Sequence, residues 1–245
     1  MNRHTALIDK PSLKLVELLG HKHMSSECFV QALTHRSYGS KHNERMEFLG
    51  DSVLGLVITN ALFNKMPAAS EGYLSRLRAS LVNENTLAEI ASELSLGDFL
   101  RLGAGELKSG GFRRKSILSD TLEAVIASVY LEQGIDSAKE FVLRIYTNRL
   151  ENLPSEDSLK DPKSRLQEFL QSRGHAIPKY NLVSTTGDAH RQVFTAECII
   201  TDVDIHTKGI AGSRRKAEQQ AAQNAYEIVM KNEADKKQQK KDVAP

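Results

Sequence analysis

Between Ile117 and Glu132 the chain reads Ile-Leu-Ser-Asp-Thr-Leu-Glu-Ala-Val-Ile-Ala-Ser-Val-Tyr-Leu-Glu. From Leu118 to Leu131 it is apolar or small on nearly every side of a helix, the pattern of a helix enclosed by its neighbours. Two residues break that pattern: Asp120 and Glu123, which share one face at i, i+3. Ionised carboxylates in such a place are costly unless something positive meets them, and no Lys or Arg occurs in the stretch to do so. The compensation has to come from outside this helix.

About seventy residues upstream lies a second acidic helix. Asn43 to Ser52 reads Asn-Glu-Arg-Met-Glu-Phe-Leu-Gly-Asp-Ser and runs directly into the apolar segment Val53 to Ile58. At 100° per residue Glu44, Glu47 and Asp51 fall in one stripe, and Met46, Leu49, Val53, Leu56 and Val57 gather opposite. Taken alone, that is an ordinary amphipathic helix with its acidic side in water. If instead its face meets that of Asp120 and Glu123, four carboxylates converge, and only a cation or forced protonation relieves them. Carboxylate oxygen with no Cys or His beside it suits a hard ion, Mg²⁺ with Mn²⁺ as a possible substitute, rather than Zn²⁺.

These residues carry a resemblance. Asn43-Glu44-Arg45-x-Glu47-Phe48-Leu49-Gly50-Asp51-Ser52 resembles the signature helix of the bacterial ribonuclease III family, and Asp120-x-x-Glu123 resembles its second acidic helix at the expected separation. Met46 stands where the family has Leu, a volume-conserving swap. The resemblance implies an all-helical catalytic domain that hydrolyses double-stranded RNA in a Mg²⁺-dependent manner, leaving 5′-phosphate and 3′-hydroxyl ends. It implies Glu47, Asp120 and Glu123 as metal ligands, Asp51 and Glu123 as catalytic residues, and Glu44 and Glu71 as secondary residues near the substrate. It also implies a homodimer through the catalytic domain, with ribosomal precursors and some messenger and transfer RNAs as substrates.

The 245 residues carry a formal net charge of +2, which hides an asymmetry. Residues 1–159 hold 18 Lys and Arg against 20 Asp and Glu, whereas 160–245 hold 15 against 11. An acidic half joined to a basic half fits a metal-binding unit tethered to one that binds a polyanion. Cys28 and Cys198, the only cysteines, fall in different halves, so no disulfide framework is expected. With no signal-peptide pattern in the first 25 residues and no run of eighteen apolar residues, the expectation is a cytoplasmic protein without membrane partners or a small-molecule cofactor.

Read in order, short helices are expected over Pro11 to Leu19 and Ser26 to Leu33, another opening at Ser70-Glu71-Gly72, and one from the capping box Thr86-Leu87-Ala88-Glu89 through Leu94. Leu102 to Phe112, with four glycines, reads as a loop. It leads into Arg113-Arg114-Lys115, three cations ahead of a helix N-terminus, which oppose the helix dipole unless a phosphate lies between them. A capping box at Ser137-Ala138-Lys139-Glu140 is expected to open the last helix of a catalytic domain over residues 1–151.

A linker is expected over 152–160 and a second domain over 161–231. Asp161-Pro162 starts a helix with Leu166, Phe169 and Leu170 inward; Gly174 ends it. Alternating segments follow at Lys179 to Thr185, Gln192 to Thr201 and Asp204 to Ala211. A final helix is capped by Gly212-Ser213 and lined by Ala217, Ala221, Ala225 and Ile228. This α-β-β-β-α order resembles a double-stranded-RNA-binding domain. The resemblance implies RNA contacts from Gln167 and Glu168 on the first helix, His190 on a loop, and Ser213, Arg214, Arg215 and Lys216 at the last helix start, where cations oppose the dipole unless an anion docks. Residues 232–245 read as a disordered basic tail. The competing function is a non-catalytic double-stranded-RNA-binding protein; a phosphomonoesterase fits the duplex-binding module poorly.

Overall fold

The computed structural model describes residues 13–19, 21–188 and 191–242. The chain divides into two compact units, Met1–Pro154 and Ser155–Pro245.

Among its described residues the first unit is helical, with α1 (Leu13–Leu19), α2 (His21–Met24), α3 (Glu27–Ala32), α4 (Glu44–Lys65), α5 (Glu71–Leu81), α6 (Glu84–Glu93), α7 (Ala104–Lys108), α8 (Lys115–Ile145) and α9 (Thr147–Glu151). Side-chain caps set the starts of α3, α5 and α6. Ser26 accepts from the Phe29 N–H and Ser70 from the Tyr73 N–H, as their sequence context predicts. Pro11 and Ser12 of the first expected helix lie outside the described residues.

The helix expected from Thr86 starts earlier. Asn83 is its cap, accepting from the Thr86 N–H, while the Thr86 hydroxyl donates back to the Ser80 carbonyl. Part of the expected glycine-rich loop is also ordered: Ala104–Lys108 forms α7, whose Leu107 N–H bonds the Gly103 carbonyl. Ala, Glu, Leu and Lys between the glycines are good helix formers, enough for one turn.

The long helices α4 and α8 form the centre of the unit, flanked by α6 and α3. Leu54, Ile58 and Leu62 of α4 and Leu122, Val125 and Ile126 of α8 are all fully buried in the core where these two helices pack. Removing one such side chain to Ala costs about 2–5 kcal/mol. The apolar face of α4 is not the one expected throughout: Met46, Val53 and Val57 are buried, but Leu56 is 61% exposed, in company with Phe48 and Phe63. A second apolar stripe therefore faces away from α8. Within α8 the helix breaks at Gly134, with φ 83 and ψ −179, a conformation open to a residue without Cβ. The break falls three residues before the capping box expected at Ser137. On the other side, His23 is buried against α8, its Nδ1 2.6 Å from Glu132 Oε2 and its Nε2 3.0 Å from Ser128 Oγ.

The second unit comprises α10 (Pro162–Ser172), β1 (Lys179–Thr186), β2 (Val193–Ile200), β3 (Ile205–Ala211) and α11 (Arg214–Asp242). Asp161 caps α10 through the Lys163 N–H with Pro162 at the first helical position. The three strands form an antiparallel sheet in the order β1-β2-β3. Leu166 and Leu170 pack with Cys198, Ile200 and the alanine row Ala221, Ala222 and Ala225 to make its core. Val229, rather than the expected Ile228, completes that row; Ile228 is exposed.

Two expectations are corrected here. Residues 232–242 continue α11 rather than forming a disordered tail, in keeping with a Lys, Glu, Ala and Gln composition that favours helix, and Glu233 pairs with Arg173 at 3.3 Å. Residues 243–245 of that stretch lie outside the described residues. Of the expected linker, 155–160 belongs to the second unit: Asp157 accepts from the Tyr226 hydroxyl and Lys160 pairs with Glu168.

Candidate functional site

The contact between α4 and α8 is unusually close at one point. A Cβ placed on Gly50 would lie 1.8 Å from the Glu123 carbonyl oxygen, so the two helices touch main chain to main chain there. On one side of Gly50 in the sequence stands Glu47 and on the other Asp51, while Glu123 and Asp120 occupy the facing turn of α8. One carboxylate oxygen each from Glu47, Asp120 and Glu123 lies within 4.8 Å of the others, and all three residues are half-buried.

Such crowding has an electrostatic signature. Burial, then the charges of Asp51, Asp120 and Glu47, push the Glu123 carboxyl up to about 8. Glu47 is raised by burial and next by Asp120. Asp120 is raised by burial, opposed by a hydrogen bond from the Ser119 hydroxyl and by the nearby His35 and Arg36. At neutral pH the group therefore keeps a proton on Glu123 rather than holding three full charges. The donor set is oxygen alone, with the spacing to close on one small cation, so these residues fit a hard divalent ion in place of that proton.

The remaining candidates are distributed around this group. Asp51 is exposed beside Glu123. Glu44 lies one turn before Glu47 and forms ion pairs with Arg36 at 3.2 Å and His42 at 3.6 Å. Glu71 is exposed in the first turn of α5, accepts from the Ser75 hydroxyl at 2.7 Å, and is not among the converging carboxylates.

Beside Glu47 and Asp120 opens a cavity of about 560 Å³ whose rim also carries His35, Arg36, Arg114 and Ser116. Of the three cations singled out before α8, only Arg114 borders it; Lys115 bonds Asn85 at 2.8 Å and Arg113 lies over the Phe112 ring. Arg36 carried no signal in the sequence, being a lone cation in a polar loop.

In the second unit Gln167 and Glu168 are exposed on α10, as required of residues that reach a partner. Ser213 accepts from the Lys216 N–H at 3.3 Å and so caps α11; Arg215 and Lys216 are exposed on its first turn. Arg214 is tied to Glu218 at 2.9 Å, and Lys163 holds the same carboxylate at 2.8 Å. Their combined hydrogen bonds keep Glu218 below the usual carboxylate range. His190 lies outside the described residues.

Two family models match this chain, one described as Ribonuclease-III-like over residues 25–150 and one as Double-stranded RNA binding motif over residues 162–229. Over 212 residues the chain is 52% identical to a protein named Ribonuclease 3 from Buchnera aphidicola subsp. Baizongia pistaciae, covering 86% of this chain and 94% of that one. The chain belongs to the ribonuclease III family. Other ribonuclease III relatives are as similar: the Proteus mirabilis protein is 53% identical over 212 residues, again 86% of this chain and 94% of that one. The Vibrio vulnificus protein is 51% identical over 220 residues, 90% and 98% of the two chains. Among solved structures, the nuclease domain of ribonuclease III from Campylobacter jejuni superposes with a TM-score of 0.52 at 43% identity, covering 56% of this chain and 99% of that one. The two matches fall one in each compact unit, and the carboxylate group lies within the first.

Proposed function

We infer that this protein is an endoribonuclease that hydrolyses double-stranded RNA, its first unit cutting the duplex that its second unit binds. The observation that carries this reading is the meeting of Glu47, Asp120 and Glu123 within 4.8 Å in a chain that also bears a double-stranded-RNA binding motif. A-form RNA hides its base edges in a narrow major groove, so the second unit would read shape and 2′-hydroxyls through Gln167, Glu168 and the cations of α11.

In this reading Glu47, Asp120 and Glu123 hold Mg²⁺, or Mn²⁺ in its place, and release the proton that Glu123 otherwise keeps. The ion would supply charge neutralisation at the scissile phosphate and a more acidic water. Asp51 stands exposed beside Glu123, outside the ligand group, and is with Glu123 the catalytic pair of this reading. No histidine is needed as general base. Attack of water at phosphorus with departure of the 3′-oxygen leaves 5′-phosphate and 3′-hydroxyl ends. Ribosomal precursors and some messenger and transfer RNAs are the substrates we propose, on the family likeness. The two unpaired cysteines, Cys28 and Cys198, fit a reducing cytoplasm.

A duplex has two strands, and one carboxylate group serves one of them. We propose a two-fold homodimer. The exposed stripe of Phe48, Leu56 and Phe63 on α4, 79%, 61% and 67% exposed, supplies an apolar surface beside the site for a second copy to cover.

The test is direct. A long RNA duplex incubated with the protein and Mg²⁺ should be cut to short duplexes, and EDTA should stop the reaction. A protein that shifts the duplex in a gel yet leaves it whole with Mg²⁺ or Mn²⁺ is a duplex binder and nothing more.

A further inference from the structure

The cavity beside Glu47 and Asp120 carries two guanidinium groups that the reaction as described leaves without a role. Arg36 and Arg114 both line it. Each is parked on a carboxylate, Arg36 on Glu44 at 3.2 Å and Arg114 on Glu106 at 2.7 Å.

The backbone that carries Arg36 is clamped. Thr34 bridges to Arg101, the His35 N–H donates to the Arg101 carbonyl, and the Gly103 N–H donates to the Ser37 hydroxyl. Gly103 packs so closely that a Cβ there would lie 2.3 Å from the Ser37 carbonyl oxygen. The Arg36 side chain is 70% exposed. Exposed ion pairs of this kind are worth little and exchange readily. A fixed stem with a free planar fork suits bidentate capture of a phosphate.

Position says which phosphate. Glu44, where Arg36 rests, precedes the ligand Glu47 by about one turn of α4, a rise of about 5 Å. That is comparable to the step between successive phosphates on one strand. Arg36 lines the same cavity as Glu47 and Asp120, so a phosphate it holds there lies next to the carboxylate group.

We propose that Arg36 leaves Glu44 on substrate binding and grips the phosphate next to the scissile one on the strand being cut. Arg36 is thus an anchor that sets the register of the strand on the carboxylate group. This rests on the nuclease reading above.

The experiment is single-turnover cleavage of a short synthetic duplex, all-phosphate or carrying one neutral methylphosphonate beside the scissile linkage, on either side in turn. Arg36→Gln should slow cleavage of the all-phosphate duplex about tenfold, with Arg36→Lys in between, and leave the melting temperature unchanged. One neutral linkage should slow the wild type by a similar factor and slow Arg36→Gln no further. If Arg36→Gln cuts within twofold of wild type, or if its loss multiplies with that of both neutral linkages, the anchor is overturned while the nuclease stands. If the wild type does not cut the all-phosphate duplex with Mg²⁺, the nuclease reading falls and takes the anchor with it.

Discussion

At Glu123 a proton and the divalent ion of the proposed reaction would compete for the same oxygens. The carboxyl keeps its proton up to about pH 8 in the fold against an ordinary value of 4.5. Because the folded value is the raised one, the stability associated with the neutral form is fully present below the unfolded value and is lost as pH rises through the folded one. The EDTA-treated protein is therefore expected to melt at progressively lower temperature between about pH 5 and pH 9. Glu123→Gln should flatten that slope in a thermal melt series and abolish stabilisation by Mg²⁺. In the same variant cleavage should fall by about a hundredfold or more while a gel shift with duplex RNA is unchanged. The meeting of Glu47, Asp120 and Glu123 was legible in the sequence, because the charges of Asp120 and Glu123 inside an apolar period are conspicuous and call for a facing acidic stripe. Arg36 was not. A single cation in a polar loop has no pattern, and only the clamp formed with Arg101 and Gly103 brings it beside the site.

Among the elements, α4 and α8 set the geometry, and their close approach depends on Gly50. Alanine there meets the Glu123 carbonyl oxygen at a distance no Cβ tolerates, so the helices must separate. Overpacking of this sort costs about 1–3 kcal/mol, which chemical denaturation should register as a lower midpoint with an unchanged slope. The same separation, about 1 Å or more because a Cβ at Gly50 would otherwise sit 1.8 Å from the Glu123 carbonyl oxygen, spreads the carboxylates, so activity should fall further than stability. Element types were legible for the long helices and the three strands, since apolar period 3.6 gave way to alternation at Lys179, but not for α7 or the end of α11. Boundaries were less so. The start of α6 went to Asn83 rather than Thr86 because an Asx cap competes with the capping box for the same N–H groups. The stripe of α4 misled at Leu56, because the wheel sorts apolar from polar but does not say which apolar residues wait for a partner.

For the molecule as a whole, the duplex-binding unit and the exposed face of α4 make separate demands. Replacing Arg215 and Lys216 together by Gln should weaken RNA binding to all duplexes alike and reduce the slope of log affinity against log salt by about 2. Phe48→Asp should give a monomer in sedimentation at micromolar concentration, where the wild type is expected to sediment as a dimer; a dimeric variant would remove α4 as the contact. The two-unit plan was visible in the charge split and the change of period, whereas the helical extension of α11 was hidden by a composition that suits a helix and a disordered chain equally. A last consequence follows from the seam at Gly50. A hole in a side-chain core can be refilled by a compensating change nearby, but a clash with a carbonyl oxygen has nothing to trim. In a selection for second-site revertants, Leu54→Ala should yield suppressors among its neighbours, and Gly50→Ala should yield only reversion to glycine.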